Sequence, residues 1–397
     1  MTVMTPLFQA EQAVLGAALL EPRQLGPLSD WLRPEHFYRP AHAALYAAML
    51  DLHSEQHPVT TAPPDVPVPL DWVNDTLARA SAHTRGLTAS HLHALASACP
   101  RPAHAPLYGR MVLEGAIHRS VAEHAARLYH AARTDADRGA DVAETLRQAD
   151  VLRDVLNDLG RRWGTEPRVT QPAAPQTASA APTDMVDQRL MADEEFLLGT
   201  LTTSPQQLGE VADWLRPEDF ADPGHRQIYR ALAALRHRGE PIDQLTLLWE
   251  CQRRGALADG TLDADRVRRL CDTAAGGSAD YFGEQVLNAA LLRTAATSAH
   301  HIRNLAKDPS LAPTRLIGHA VHHLEPLESI RRRRETSHAE PAPNTPQQAE
   351  EAAPPPARAI AARTRSRPRF PATSAPAAPT PPAPAEPRRP HTRRSHS

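Results

Sequence analysis

A seven-residue stretch that occurs twice constrains this chain more than any other feature. It reads Trp31-Leu32-Arg33-Pro34-Glu35-His36-Phe37 and returns as Trp214-Leu215-Arg216-Pro217-Glu218-Asp219-Phe220, preceded each time by Asp30 or Asp213. The match extends in both directions without a gap. Glu11 falls on Glu194, Leu15-Gly16 on Leu198-Gly199, Pro22 on Pro205, Leu25-Gly26 on Leu208-Gly209, and Pro40 on Pro223. His42 falls on His225, Tyr46 on Tyr229 and Pro58 on Pro241. Roughly twenty of some fifty aligned positions are identical, and a period this long means two whole domains rather than a solenoid.

Each copy reads as helix throughout. Thr5 and Pro6 are a favoured N-cap and first helical residue, and Leu7, Ala10, Val14, Leu15 and Ala18 then recur at helical spacing up to Pro22. A short helix over 25–32 is broken by Pro34. Another begins at Pro40, with Leu45, Ala48, Met49 and Leu52 on one stripe. The repeated turn therefore sits between helices, where Trp31, Pro34, Phe37 and His42, with Trp214, Pro217, Phe220 and His225, read as a structural signature. Large aromatics chiefly supply buried area. Prolines at 63, 64, 67 and 69 occupy a place that is a clean helical pattern over 244–253 in the second copy, so the first copy is expected to have lost or frayed one helix. Long amphipathic patterns follow in both copies, separated by turns at 134–139 and at Lys307-Asp308-Pro309. No strand alternation stands out. The expected fold class is all-α: two tandem helical-bundle domains, each followed by a long helical hairpin, with a disordered C-terminal tail. The boundaries are 4–160 for the first copy (hairpin 106–158), 161–188 for a flexible linker, 189–331 for the second copy (hairpin 280–331) and 335–397 for the tail. The linker at 166–182 is rich in Pro, Ala, Thr and Gln. The tail is rich in Pro, Ala and Arg and poor in the apolar residues that a core requires.

Composition removes several function classes. Of 44 basic residues Lys307 is the only lysine, so no Gly-Lys-Ser/Thr phosphate loop exists in this sequence. No nucleophile elbow or pair of catalytic carboxylates is evident, and no catalytic residue or cofactor is assigned. The net charge of −2 does not mark a basic nucleic-acid binder. Three cysteines without a CxxC pair fit a reducing cytoplasm, and no apolar run reaches the ~20 residues of a membrane span. Among 21 histidines the best metal candidate is His319-His322-His323 with Glu325. It lacks a His-Glu-x-x-His pattern and has no first-copy counterpart, so it reads as a helix face and no metal is expected. His42 and His225 read as buried, hydrogen-bonded residues, and Cys251 and Cys271 as small core residues.

The runs Glu11-Gln12-Ala13-Val14-Leu15-Gly16 and Trp31-Leu32-Arg33-Pro34-Glu35-His36-Phe37-Tyr38-Arg39-Pro40-Ala41-His42, with Gly239-Glu240-Pro241-Ile242-Asp243, resemble the N-terminal domain of bacterial replicative helicases of the DnaB family. In that family the domain precedes a RecA-type ATPase, which this sequence lacks. Its domains pair through their hairpins to build a collar of six that binds primase. A related fold occurs as the helicase-binding tail of primase, so the fold does not separate the two sides. The resemblance implies a non-catalytic replication accessory protein whose partners are replicative helicase or primase. The alternative is a helicase-like subunit or remnant that unwinds DNA only with a separate ATPase. A mobile-element relic without a partner is a third reading. Leu113, Ile117, Leu128, Leu152, Leu287, Leu291, Ile302 and Leu324 are the hairpin-face residues expected to bind a partner or to pair. Pairing within one chain would mimic a dimer, and three chains would supply six domains. Arg331, Arg332, Arg333, Arg334, Arg363, Arg365, Arg367 and Arg369 are candidate nucleic-acid contacts, with a solubilising tail as the equal alternative.

Overall fold

The computed structural model describes residues 5–61, 68–139, 141–163, 188–258, 260–272 and 277–338. Seven α-helices build the first half: α1 (Pro6–Leu20), α2 (Leu25–Ser29), α3 (Pro40–Ser54), α4 (Leu70–Ser81), α5 (Ala89–Ala98), α6 (Ala105–Arg138) and α7 (Ala143–Arg162). The second half repeats them in order: α8 (Gln188–Thr203), α9 (Leu208–Ala212), α10 (Pro223–Arg238), α11 (Gln244–Arg253), α12 (Ala264–Asp272), α13 (Ala279–Ala306) and α14 (Pro313–His338). No strand occurs among the described residues.

Local chemistry sets most helix ends. Thr5 Oγ1 accepts from the Phe8 amide at 3.3 Å with Pro6 behind it, and Asp222 accepts from the His225 amide at 2.8 Å ahead of Pro223. Both arrangements satisfy an amide that the helix itself leaves unpaired. Gly239 ends α10 with a φ of 67°, a left-handed value that glycine adopts without a steric penalty.

The repeated turn is held the same way in both halves. The Arg33 amide donates to His36 Nδ1 at 3.0 Å, and the Arg216 amide to Asp219 Oδ2 at 2.7 Å, each closing a 3-10 turn at Pro34–His36 or Pro217–Asp219. Phe37 packs on Tyr46 and Phe220 on Tyr229, both at 4.9 Å between ring centroids. The tryptophans bind the turn to the long helices. A Cβ added at Gly109 would meet the Trp31 ring at 2.8 Å, and one at Gly283 would meet Trp214 at 2.6 Å. Each glycine is therefore the bare patch on which an indole rests.

Two expectations are corrected. The first half has not lost a helix: α4 stands where α11 does, and Trp72, fully buried, donates to Ala18 O at 3.2 Å. Pro63, Pro64 and Pro67 lie outside the described residues. Nor does a turn fall at 134–139, because α6 continues through Arg138 and breaks only at Gly139, φ 93°. Asp135 explains the longer helix. It is buried, and its carboxylate accepts from the Thr145 amide at 2.9 Å and from Thr145 Oγ1 at 2.8 Å, capping α7 from the neighbouring helix. Helix α7 also runs past 158 to Arg162, and α14 past 331 to His338.

Gly283→Ala tests the indole contact. On propensity alone it would stabilise α13 by up to ~1 kcal/mol. The clash with a 5 % exposed indole reverses that sign, and the expected result is a loss of about 1–3 kcal/mol in chemical denaturation. The same change in Trp214→Ala should cost little, since the ring is gone.

Candidate functional site

The site that organises this chain is the meeting of the two hairpins. Helices α6 and α7, and α13 and α14, each contribute a run of apolar side chains to one buried cluster. The structure sets them against each other. Leu113, Ile117, Leu128 and Leu152 share one continuous core with Leu287, Leu291, Ile302 and Leu324, and the most exposed of the eight is Leu113 at 7 %. These are the eight hairpin-face residues named from the sequence, and their side chains point into the shared interior.

Polar contacts fix the direction of the pairing. Arg153 bonds Glu328 and Arg331 bonds Asp150, so α7 and α14 run antiparallel. His118, in the middle part of α6, lies at the far end of α13, with Nδ1 3.0 Å from Ala306 O and Nε2 3.0 Å from Leu311 O. His118 thus clamps the end of the opposite hairpin by its last helical carbonyl and by the turn beyond it.

Beneath each hairpin lies a buried carboxylate–histidine pair. His42 Nδ1 is 2.7 Å from Glu11 Oε2, and His225 Nδ1 is 2.7 Å from Glu194 Oε2, with all four side chains at most 1 % exposed. Glu11 also accepts from the Tyr38 amide, and Glu194 from the Ala221 amide. The carboxylate therefore ties the chain after the signature turn to α1 or α8 while the histidine ties it to α3 or α10. Arg266 donates to His225 Nε2 at 2.8 Å, which makes Nδ1 the proton-bearing nitrogen. His42 is stacked instead between Phe8, at 5.6 Å, and His91, at 6.1 Å. Matched histidines were legible in the sequence; their glutamate partners, 31 residues earlier in each copy, were matched but not assigned a role.

The arginine run at 331–334 is helical: Arg331, Arg332, Arg333 and Arg334 all belong to α14. Arg333 bonds Trp214 O at 2.9 Å and chelates Asp219, and Arg334 donates to Asn288 at 2.8 Å. With Arg331 engaged by Asp150, Arg332 alone of the four is exposed. Arg363, Arg365, Arg367 and Arg369 lie outside the described residues, as do the linker residues 164–187. Arg119 and Arg293 escaped the sequence reading. They occupy equivalent places on α6 and α13 and donate to His36 O and Asp219 O, the last residues of the two signature turns.

The histidines of the second hairpin stack rather than converge. His323 lies 5.3 Å from His301, and His322 bonds Glu325 at 3.1 Å. Among the described residues no group of three or more His, Cys, Asp or Glu is arranged to hold a metal. The Cys251 thiol is buried and pushed up to about 11 by that burial and by Glu250, which removes its nucleophilic form near neutrality. Burial, then the charges of His301, His322 and His319, pushes His323 down to about 4 from an ordinary 6.5. The folded chain then binds fewer protons than the unfolded one between those values, so stability falls as pH drops through that window. Denaturant titrations from pH 7 to 4.5 should show a loss of order 1–2 kcal/mol after allowance for partial solvent screening. His323→Gln should flatten that slope; an unchanged slope would place the titrating group elsewhere.

Comparison with known proteins agrees with this architecture. The model of the DnaB-like helicase N terminal domain matches residues 5–114 and 187–279. Those segments hold the two bundles; the first ends ten residues into α6 and the second at the first residue of α13. Replicative DNA helicase DnaB of Mycobacterium leprae is 35 % identical over 140 residues, which is 35 % of this chain and 22 % of that protein. The Geobacillus stearothermophilus protein of the same name is 38 % identical over 111 residues, 28 % of this chain and 22 % of that one. The chain thus spans about a fifth of the length of these relatives. The crystal structure of the N-terminal domain of DnaB helicase from Mycobacterium tuberculosis is 28 % identical, covering 34 % of this chain and 96 % of that one with a TM-score of 0.31. No helix among the described residues is long and apolar enough to cross a membrane. Just over half of the chain falls within the two matched segments, and it belongs to the family of DnaB-like helicase N-terminal domains.

Proposed function

We propose that this chain is a non-catalytic replication accessory protein that presents a paired set of DnaB-type N-terminal domains to a replicative helicase or primase. The observation that carries the reading is the mutual burial of the two hairpins, which gives one polypeptide a ready-made domain pair without a second chain. Of the two roles expected for the hairpin-face residues, partner binding or pairing, their burial favours pairing. A partner would instead meet the outer faces of the hairpins and the bundles. The second bundle offers one apolar face of this kind: Leu245 and Trp249, one helical turn apart on α11, are 74 % and 59 % exposed. Large exposed apolar side chains grouped on one face mark protein contacts.

Capture of the host's replicative helicase and primase on the immobilised full-length chain tests the proposal. One of the two should be retained, and Leu245→Ala with Trp249→Ala should weaken that retention about tenfold or more, the loss typical of an aromatic anchor. Circular dichroism on the double variant checks that the fold is kept. Retention of neither protein would end the adaptor reading. DNA unwinding that requires this chain together with a separate ATPase would favour the helicase-subunit alternative.

A further inference from the structure

The second bundle contains a cationic cavity that the pairing of the hairpins does not use. It has a volume of about 290 Å³ and lies between the signature turn, α13 and α14, with Arg216, Asp219, Arg293, Thr294, Ser329 and Arg333 among its lining residues. Its charges are unbalanced. Asp219 receives the Arg216 amide at 2.7 Å and chelates Arg333, which occupies both carboxylate oxygens. Glu218 is turned to Arg230, at 2.8 Å. Three guanidiniums, of Arg216, Arg293 and Arg333, line the cavity against two carboxylates, of Asp219 and Glu218, so its lining carries an excess of positive charge. Two buried donors, Arg293 Nη1 and Arg333 Nε, have no acceptor among the described residues. An unmade hydrogen bond on a buried charged group is costly. Burial also holds the Arg293 guanidinium below its ordinary pKa, against the pull of Glu194 and Asp219, as expected of a cation short of acceptors.

We propose that this cavity binds a phosphate group. The excess positive charge favours an anion, and guanidinium N–H groups from three separate elements suit a tetrahedral acceptor such as phosphate better than a planar one. The cavity is at the small end for ligands, enough for a phosphate and part of what it is attached to. The first bundle has only part of this arrangement. Arg119 matches Arg293 and its Nη1 is likewise without an acceptor. His36 stands in place of Asp219, however, and its one accepting nitrogen, Nδ1, is already taken by the Arg33 amide, so no acceptor is left for an arginine. Arg162, which follows Leu156 by the same interval as Arg333 follows Leu327, bonds Asp158 at 2.9 Å instead. Duplication has left one half with the complete set.

Thermal unfolding of the full-length chain in potassium phosphate and in potassium chloride, at equal ionic strength and pH, tests the proposal. Phosphate should raise the Tm by ~3 °C or more at millimolar concentration, since a ligand that binds only the folded state stabilises it. Arg216→Gln, at the exposed rim, should keep its Tm in chloride and lose the phosphate response. Arg333→Gln should lose the response too, and the exposed Arg332→Gln should retain it. Adenosine monophosphate separates the sources: action at a concentration tenfold below that of inorganic phosphate assigns a phosphomonoester, and equal action assigns the free anion. Equal Tm in phosphate and chloride for the unaltered chain, or a full response surviving in Arg216→Gln, overturns the proposal.

Discussion

Everything in this structure depends on two apolar helix faces that have to leave water and have only each other to leave it with. A hairpin of long helices with one greasy stripe is not stable alone, because hydrophobic burial is the main force opposing chain entropy. Placing Ile117 and Leu128 of one hairpin in the same core as Leu291 and Ile302 of the other removes both stripes from solvent at once. The rest follows from that choice. The bundles hang from the hairpins through the tryptophan–glycine contacts, and each signature turn is held from above by Arg119 or Arg293 and from within by the carboxylate–histidine pair.

The polar interior is concentrated where the backbone changes direction. Glu11 and Glu194 each satisfy a backbone amide just past the signature turn while bonding a histidine on the next helix. A buried carboxylate is tolerated when its oxygens are filled, and here they are filled by the groups that most need fixing. Asp135 does the same at the tip of the first hairpin. These contacts add positional definition more than net stability, since the charge must first be desolvated.

Legibility of this fold in the sequence divided by the range of the interaction. Helices, caps and the repeat were readable, because proline at the first turn, helical spacing and an ungapped match are local signals. Buried stripes such as Leu45, Met49 and Leu52 read as the core they form. Errors arose where a distant side chain overrode local preference. Residues 134–139 look like a turn, yet Asp135 is kept helical by its bond to Thr145 across the hairpin. The prolines before α4 look like damage to a helix, yet α4 stands where α11 does. The arginine run reads as a set of candidate nucleic-acid contacts, whereas Arg333 is drawn into the fold by Asp219, 114 residues away. Exposed leucines and buried ones have the same spacing, so the sequence alone could not choose between a partner and the sister hairpin.

Tethering the two hairpins in one chain changes what the interface has to satisfy. When identical subunits meet about a two-fold axis, every surface residue must be acceptable to a copy of itself, and each substitution appears twice. Here the opposing surfaces are encoded separately. One half can carry His118 against the other's Leu311 carbonyl without a reciprocal clamp being required. The pairing also becomes unimolecular, with an effective concentration set by the connecting chain rather than by expression level. Dilution cannot separate the halves, and drift in one is not imposed on the other. The exchange of Asp219 for His36 at equivalent turns is the kind of asymmetry that such freedom permits.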